Sequence, residues 1–405
     1  MRIGIDARFY GSLGKGLGRY TEKLLEHLEV LDQEHEYIVF LRHENFAEYT
    51  PRNPRFKKVA VHFSWYGLAE QTLFVRLLYR FRLDLMHFPH FNVPLLYRRK
   101  FVVTIHDLIL IHYPTVRNTT RFAFFYWFKF FVYRLVIASA IKRAAHILTV
   151  SHFTKRDLEK HYPYSSQKIT VTYEAADPYC LWAAPEKEQA LMKRLSLFAS
   201  ETRETLRRDI IQPYFLYVGN AYPHKNLPLL FACARAFPET KLVLVGKEDF
   251  FYARLKQEAK ERAGDNVIFA GFLIDEELST LYRFARVYLF PSLYEGFGLP
   301  PLEAMAHGTP VISSNRGSLP EILGKAALYF DPTSEKDLVE AIEKVQSDPI
   351  LWKNLQEKGY KQVATFHFQD MATLTHQIYQ AVLKNTTPSH DTFPSLTTSS
   401  SNRAL

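Results

Sequence analysis

The stretch RVYLFPSLYEGFGLPPLEA, Arg286–Ala304, decides how the chain is read. Its first seven residues are an apolar run of strand length. Gly296, Phe297 and Gly298 make a turn, and Pro300 and Pro301 fit only the first turn of a helix, where a missing N–H costs nothing. Strand, glycine turn, helix is the repeating unit of an open parallel sheet. Two glutamates eight apart, Glu295 and Glu303, flank the turn. On one unbroken helix they would lie about 80° apart, but the prolines forbid that helix. Glu295 is therefore expected on a loop and Glu303 in the opening turn of the helix that follows. Glycines let backbone N–H groups approach a ligand, and a helix start favours negative charge. A carboxylate before such a turn repels phosphate and suits hydroxyls. The pair fits a ligand with hydroxyls at both ends and phosphate between, a nucleotide-sugar. On spacing alone, a dipole-stabilised helix acid and a solvated loop glutamate account for the same pattern.

The same unit recurs outward from this point. MRIGIDA, YIVFL, LMHFP, FVVTIHD and AHILTVS alternate with helical patterns in the first half; YFLYVGN, KLVLVG, NVIFAGF, RVYLFPS, TPVISSN and AALYFD do so in the second. Apolar strands alternating with helices predict parallel sheets covered on both faces. The expected organisation is a first α/β domain over 1–175, a connection with a helix within it over 176–210, and a second α/β domain over 211–365. A terminal helix follows over 366–385, then a Ser/Thr/Pro-rich, disordered tail over 386–405.

With 47% hydrophobic residues over 405 positions the chain has material for two cores. Cys180 and Cys233 match no metal or redox spacing, which favours a reducing cytoplasm. A strand directly after Met1 argues against a secretory signal. The net charge of +9 is local. Between Leu85 and Arg156 eleven Lys/Arg meet one acid, Asp107, while the rest of the chain holds 40 basic and 41 acidic residues. That predicts one face for an anionic partner.

Phe122–Ile141, FAFFYWFKFFVYRLVIASAI, is long enough to span a bilayer. Lys129 and Arg134 would each cost about 2.5–3.5 kcal/mol near its centre, and a span would put two halves of one domain on opposite sides. Arg117, Arg121, Lys129, Lys142 and Arg143 project within an arc of about 140°. That describes a basic-sided amphipathic segment, 117–143, suited to an anionic membrane surface. An ordinary helix packing its aromatics on a sheet is the other reading.

Further candidates lie at strand ends. Lys225, in YVGNAYPHKNL, follows a strand and a glycine turn, where an ammonium can meet a diphosphate. GSLGKGLGRY follows the first strand and opens a helix, as a phosphate or sugar loop would. His106, in TIHDL, ends an apolar strand, the position where open α/β sheets bind ligands. HFPHFNVP adds His87, His90 and Asn92; without a partner acid their spacing argues against a metal site. No Asp-x-Asp occurs, so there is no obvious carboxylate pair for a diphosphate-bound metal.

Together these stretches resemble the family-four retaining glycosyltransferases of the GT-B fold. The likeness runs from RIGIDARFYGSLGKGLGRY through VVTIHDLILIHYP, ILTVSHFTKRDL and YVGNAYPHKNL to GFLIDEELSTLYRFARVYLFPSLYEGFGLPPLEAMAHGTPVISSN, which carries the family's Glu-x7-Glu motif. FHFQDMATLTHQIYQAVL resembles the terminal helix that crosses back to the first domain. The resemblance implies two Rossmann-like, doubly wound domains facing across a cleft, acceptor on the first and nucleotide-sugar on the second. It implies that Glu295 holds donor sugar hydroxyls, that the backbone of Phe297, Gly298 and Leu299 lines sugar and phosphate, and that Glu303 binds ribose. Lys225 would neutralise the diphosphate, Leu273 would meet the base through its backbone, Gly16 and Gly18 would approach the phosphate, and His106 would contact the reacting centre. His87, His90 and Asn92 would line the acceptor side. Many members have arginine where this chain has His224, and some where it has Asn220; the phosphate site then leans on Lys225, with His224 adding pH-dependent charge.

The reading is a metal-independent transferase with no cofactor. It moves a sugar, mannose from GDP-mannose by family analogy, to a lipid-linked or polysaccharide acceptor at the cytoplasmic membrane face, with retention at the anomeric carbon. The alternatives are another GT-B enzyme such as a nucleotide-sugar epimerase, or a basic nucleic-acid-binding protein. No motif that reads DNA or RNA accompanies the basic segment, so nucleic acid is not an expected partner.

Overall fold

The computed structural model describes residues 1–11, 16–63, 65, 67–114, 123–176, 183–198 and 211–386. Arg117, Arg121, Cys180, the run at 12–15, most of the expected connection (177–182 and 199–210) and the tail from 387 lie outside them, as does the side chain of Lys129.

The chain forms two compact units, one of Met1–Glu174 with His367–Leu405, the other of Ala175–Phe366. The first holds a seven-stranded sheet in the order β3-β2-β1-β4-β5-β6-β7. Its strands are β1 (Arg2–Asp6), β2 (Glu36–Arg42), β3 (Phe56–Val61), β4 (Leu85–Phe88), β5 (Phe101–Ile105), β6 (His146–Thr149) and β7 (Ile169–Val171). Every neighbouring pair is parallel. The central strands β1, β4, β5 and β6 are almost wholly buried, which explains their largely apolar sequence. Sequence periodicity missed β3 and β7: β3 is an edge strand carrying Lys57 and Lys58, and β7 has three residues. The terminal helix Phe368–Leu383 packs in this unit on the helix Gly16–Leu31, burying Met371, Thr375, Ile378 and Tyr379.

The second unit holds a six-stranded parallel sheet in the order β10-β9-β8-β11-β12-β13. Its strands are β8 (Tyr214–Val218), β9 (Lys241–Val245), β10 (Val267–Gly271), β11 (Val287–Phe290), β12 (Val311–Ser314) and β13 (Ala327–Phe330). The helix Pro185–Arg194 belongs here, joined to the helix Asp275–Phe284 by Arg283–Glu188 and Arg194–Glu277 ion pairs at 3.2 and 2.9 Å. Both units are thus doubly wound. Each sheet reverses its strand order once, between β1 and β4 and between β8 and β11, and ligands of such sheets bind beyond the carboxyl ends of the strands at that reversal.

The segment 123–143 is one helix. Ile137, Ala140 and Ile141 enter the core of the first unit. Trp127, Phe131 and Leu135 are 58, 59 and 49% exposed. Their spacing of four puts them on one outward stripe. Arg143, expected on an outward basic face, turns inward instead. Its Nε donates to Ser139 Oγ at 2.9 Å and its guanidinium to the carbonyls of Pro94 and Tyr97. The described outward face therefore carries an apolar stripe together with Lys142, exposed as expected, and Arg134. Among the described residues no helix is long and apolar enough to cross a membrane.

Candidate active site

In the second unit the two turns at the strand-order reversal are tied together. After β8, Gly219 leads to Pro223–Lys225, and Asn226 closes that turn in the left-handed region with φ 56°. After β11, Leu293 N donates to His224 O at 2.7 Å. This brings Lys225 Nζ to 2.6 Å from Glu295 Oε1, with both side chains almost fully buried. Lys225 also lies over the Phe290 ring, 5.4 Å from its centroid. Glu295 is on a loop but not solvated. Its backbone is held from behind by the turn after β12: Ser318 N donates to Glu295 O, and Ser318 Oγ to Phe297 O at 2.9 Å. A Cβ on Gly317, itself at φ 66°, would stand 2.8 Å from Glu295 N. That position admits no side chain.

Gly298, at φ 99°, ends the loop, and the helix Leu299–Ala306 begins with proline in its first turn. Glu303 is the fifth residue of this helix, just past the opening turn where it was expected, because the helix starts at Leu299, before both prolines. It accepts from Tyr282 OH at 3.1 Å. Phe297 is buried edge-on against Phe366. Leu273 is buried between Phe272 and Ile274, which are 74 and 54% exposed. Asn220 turns its side-chain oxygen toward Tyr222 N. His224 departs from expectation. Burial, helped by the neighbouring Lys225 charge and only partly opposed by Glu295, pushes its pKa down to about 4. It is neutral at neutral pH in the ligand-free protein.

In the first unit His106 follows β5. Its Nδ1 meets Glu174 Oε1 and its Nε2 meets Pro89 O, both at 2.9 Å, and Tyr20 meets the ring edge-on. A carboxylate and a carbonyl both accept, so both ring nitrogens donate, which only the imidazolium can do. Burial alone would lower the pKa; the Glu174 hydrogen bond and charge, with Pro89 O and Asp107, outweigh it and raise it. Glu174, 68 residues away, carries no sequence signal.

The acceptor-side candidates separate. His87 is fully buried and bridges Tyr379 OH (2.5 Å) and Thr104 Oγ1 (2.9 Å), so it links sheet and terminal helix and offers no surface. Asn92 donates to Glu70, which with Asp6 neutralises the buried Arg8 guanidinium. His90 is partly exposed, with its Nδ1 unpartnered, and burial takes its pKa to about 3. Among the described residues nothing stands within 4 Å of a Cβ on Gly16, whereas one on Gly18 would strike the backbone oxygens of Gly11 and Phe9. Gly18 is explained by packing.

Two family profiles match the chain: Glycosyltransferase Family 4 over residues 14–178 and Glycosyl transferases group 1 over 199–362. The O-antigen chain mannosyltransferase RfbU of Salmonella typhimurium is 27% identical over 356 residues, 84% of this chain and 89% of that protein. The O-antigen chain mannosyltransferase B of Escherichia coli is 28% identical over 392 residues, 90% of this chain and 96% of that protein. Among solved structures, sucrose-phosphate synthase from Thermosynechococcus elongatus superposes with a TM-score of 0.71 at 20% identity, over 95% of this chain and all of that one. This likeness shows the GT-B fold.

Proposed function

Since the chain belongs to the glycosyltransferases, a family 4 domain followed by a group 1 domain, we propose that it transfers mannose from GDP-mannose, with retention, to a lipid-linked or polysaccharide acceptor during cell-envelope glycan synthesis. A glycosyltransferase role in glycan synthesis follows from the family and from the two O-antigen relatives. The donor, the acceptor and the stereochemistry are our inference. What supports it most is the Lys225–Glu295 pair, set at the strand-order reversal beside the start of the helix Leu299–Ala306.

In this reading the sugar hydroxyls take over Glu295 as donors, freeing Lys225 for the diphosphate. The leaving diphosphate gathers negative charge as the glycosidic bond breaks. Lys225 and the backbone N–H groups after Gly298 offset it, so no metal ion is needed. The departing phosphate takes the acceptor proton, and the protein contributes positioning and charge rather than a nucleophile. Glu303 holds ribose hydroxyls and the Leu273 backbone meets the base. The enzyme works in the cytoplasm, peripheral on the anionic inner face of the cytoplasmic membrane, which it meets with the outward stripe of the helix Ala123–Arg143.

The test is transfer from labelled GDP-mannose to a lipid-linked acceptor in excess EDTA. Transfer should persist, and Glu295→Gln, assayed below its own lowered Tm, should lose turnover by on the order of 10²-fold. Complete loss in EDTA with rescue by manganese would overturn the metal-independent reading. Full turnover of Glu295→Gln at saturating donor would remove Glu295 from the mechanism.

A further inference from the structure

Away from the active site, three side chains from three segments of the first unit converge. Asp32 directly follows the helix Gly16–Leu31, His35 directly precedes β2, and His376 lies in the terminal helix. Asp32 Oδ1 accepts from the backbone N–H of Glu34 (2.9 Å) and of His35 (3.1 Å). Asp32 Oδ2 faces Tyr37 OH at 2.7 Å, His35 Nδ1 at 2.8 Å and His376 Nε2 at 3.0 Å. One ligand atom from each of the three residues lies within 4.8 Å of the others. The side chains of Asp32, His35 and His376 are 1, 11 and 16% exposed, so the cluster is enclosed but open on the histidine side.

We propose that Asp32, His35 and His376 bind a divalent transition-metal ion of the zinc class, which fastens the terminal helix to the rest of the first unit. Two imidazoles and one carboxylate suit zinc, cobalt or nickel and not magnesium or calcium, which take oxygen ligands. Tetrahedral zinc with bonds of about 2.0–2.1 Å spaces neighbouring ligand atoms by about 3.3 Å. The observed 2.8 and 3.0 Å contacts need to open by only a few tenths of an ångström. The carboxylate is already oriented by Tyr37 OH and two backbone N–H groups, the outer shell that metal carboxylates require. On binding, the ring protons facing Asp32 shift to the nitrogens turned away, and water completes the fourth position from the open side. A second group, His112, Asp157 and His161, is a weaker candidate, because His161 Nδ1 is already engaged by the Asp157 backbone oxygen at 2.9 Å.

The test uses the untagged full chain and reads no transferase activity. Titration with Co²⁺ should give the visible band of four-coordinate cobalt, saturating at one equivalent. Zn²⁺ in 100-fold excess over its Kd should raise Tm by about 5 °C or more. His376→Gln keeps an N–H for Asp32 but cannot complete the ligand set, so it should lose both effects while its metal-free Tm stays near wild type. His35→Gln should do the same, and His112→Gln should change neither. Absence of the band, its survival in His376→Gln, or its loss in His112→Gln would each overturn the proposal. Loss of transfer in EDTA without a fall in Tm would bear on the donor site and not on this one.

Discussion

Lys225 and Glu295 are almost fully buried and paired at 2.6 Å, so neither can be removed without stranding the other. A buried charge left without its partner costs roughly 3–5 kcal/mol, whereas removing both is far milder. Lys225→Ala and Glu295→Ala should therefore each lower stability more than the double variant does, a coupling that denaturant melts in a double-mutant cycle will measure. Additive losses would mean that the pair is too hydrated to matter. His106 makes a pH prediction. Its folded pKa is raised above the ordinary imidazole value by Glu174 against the pull of burial. Its stabilisation is then fully present below the unfolded value of about 6.5 and is lost as pH climbs through the raised one. Wild-type Tm should fall over that window, and Glu174→Gln should flatten the curve; parallel curves would show that His106 is not held as the imidazolium. Lys225 and Glu295 were legible because each sits at a fixed offset from an apolar strand and a glycine. Glu174, Tyr282 and Gly317 were not, because each acts on a site residue far away along the chain through contacts that only the folded sheet creates. The neutral state of His224 was also out of reach, since burial sets it and a sequence does not print burial.

At the scale of elements, strands were readable where the run itself is apolar, including β10, an edge strand only half-buried at every residue. All six strands of the second sheet announce themselves as apolar runs, whereas β3 and β7 at the ends of the first do not. In the helix Ala123–Arg143 the charge arc placed Lys142 outward, as it is, but misplaced Arg143. Arg143 spends its guanidinium on Ser139, Pro94 and Tyr97, while Trp127 and Phe131 stand exposed. Substituting Trp127 and Phe131 by glutamate should abolish binding to anionic vesicles with little change in Tm, measured by flotation. Arg143→Ala should do the reverse: vesicle binding kept, and stability reduced by about 1–3 kcal/mol for the carbonyls it leaves unpaired. Unchanged flotation of the double glutamate variant would leave this stripe without a membrane role.

The whole molecule is two doubly wound units, and that much was written in the alternation of strands and helices. What alternation cannot convey is that the first unit is assembled from both ends of the chain. His87 reaches Tyr379, Asp32 reaches His376, and Lys100 donates to the Val382 carbonyl and to Asn385. This has a consequence in time. Synthesis runs at about 5–20 residues per second. The whole of Ala175–Phe366 must therefore leave the ribosome between the last strand of the first sheet and the helix that completes its packing, a wait of roughly 10–40 s. Throughout it, the seat of that helix beside Gly16–Leu31 stands open to water and to chaperones, while the second unit has everything it needs to fold. A nascent chain arrested soon after Phe366 emerges should thus show a protected second unit and a protease-sensitive first one, and release of the last residues should protect both together. Equal protection at arrest would mean that the first unit folds without its final helix.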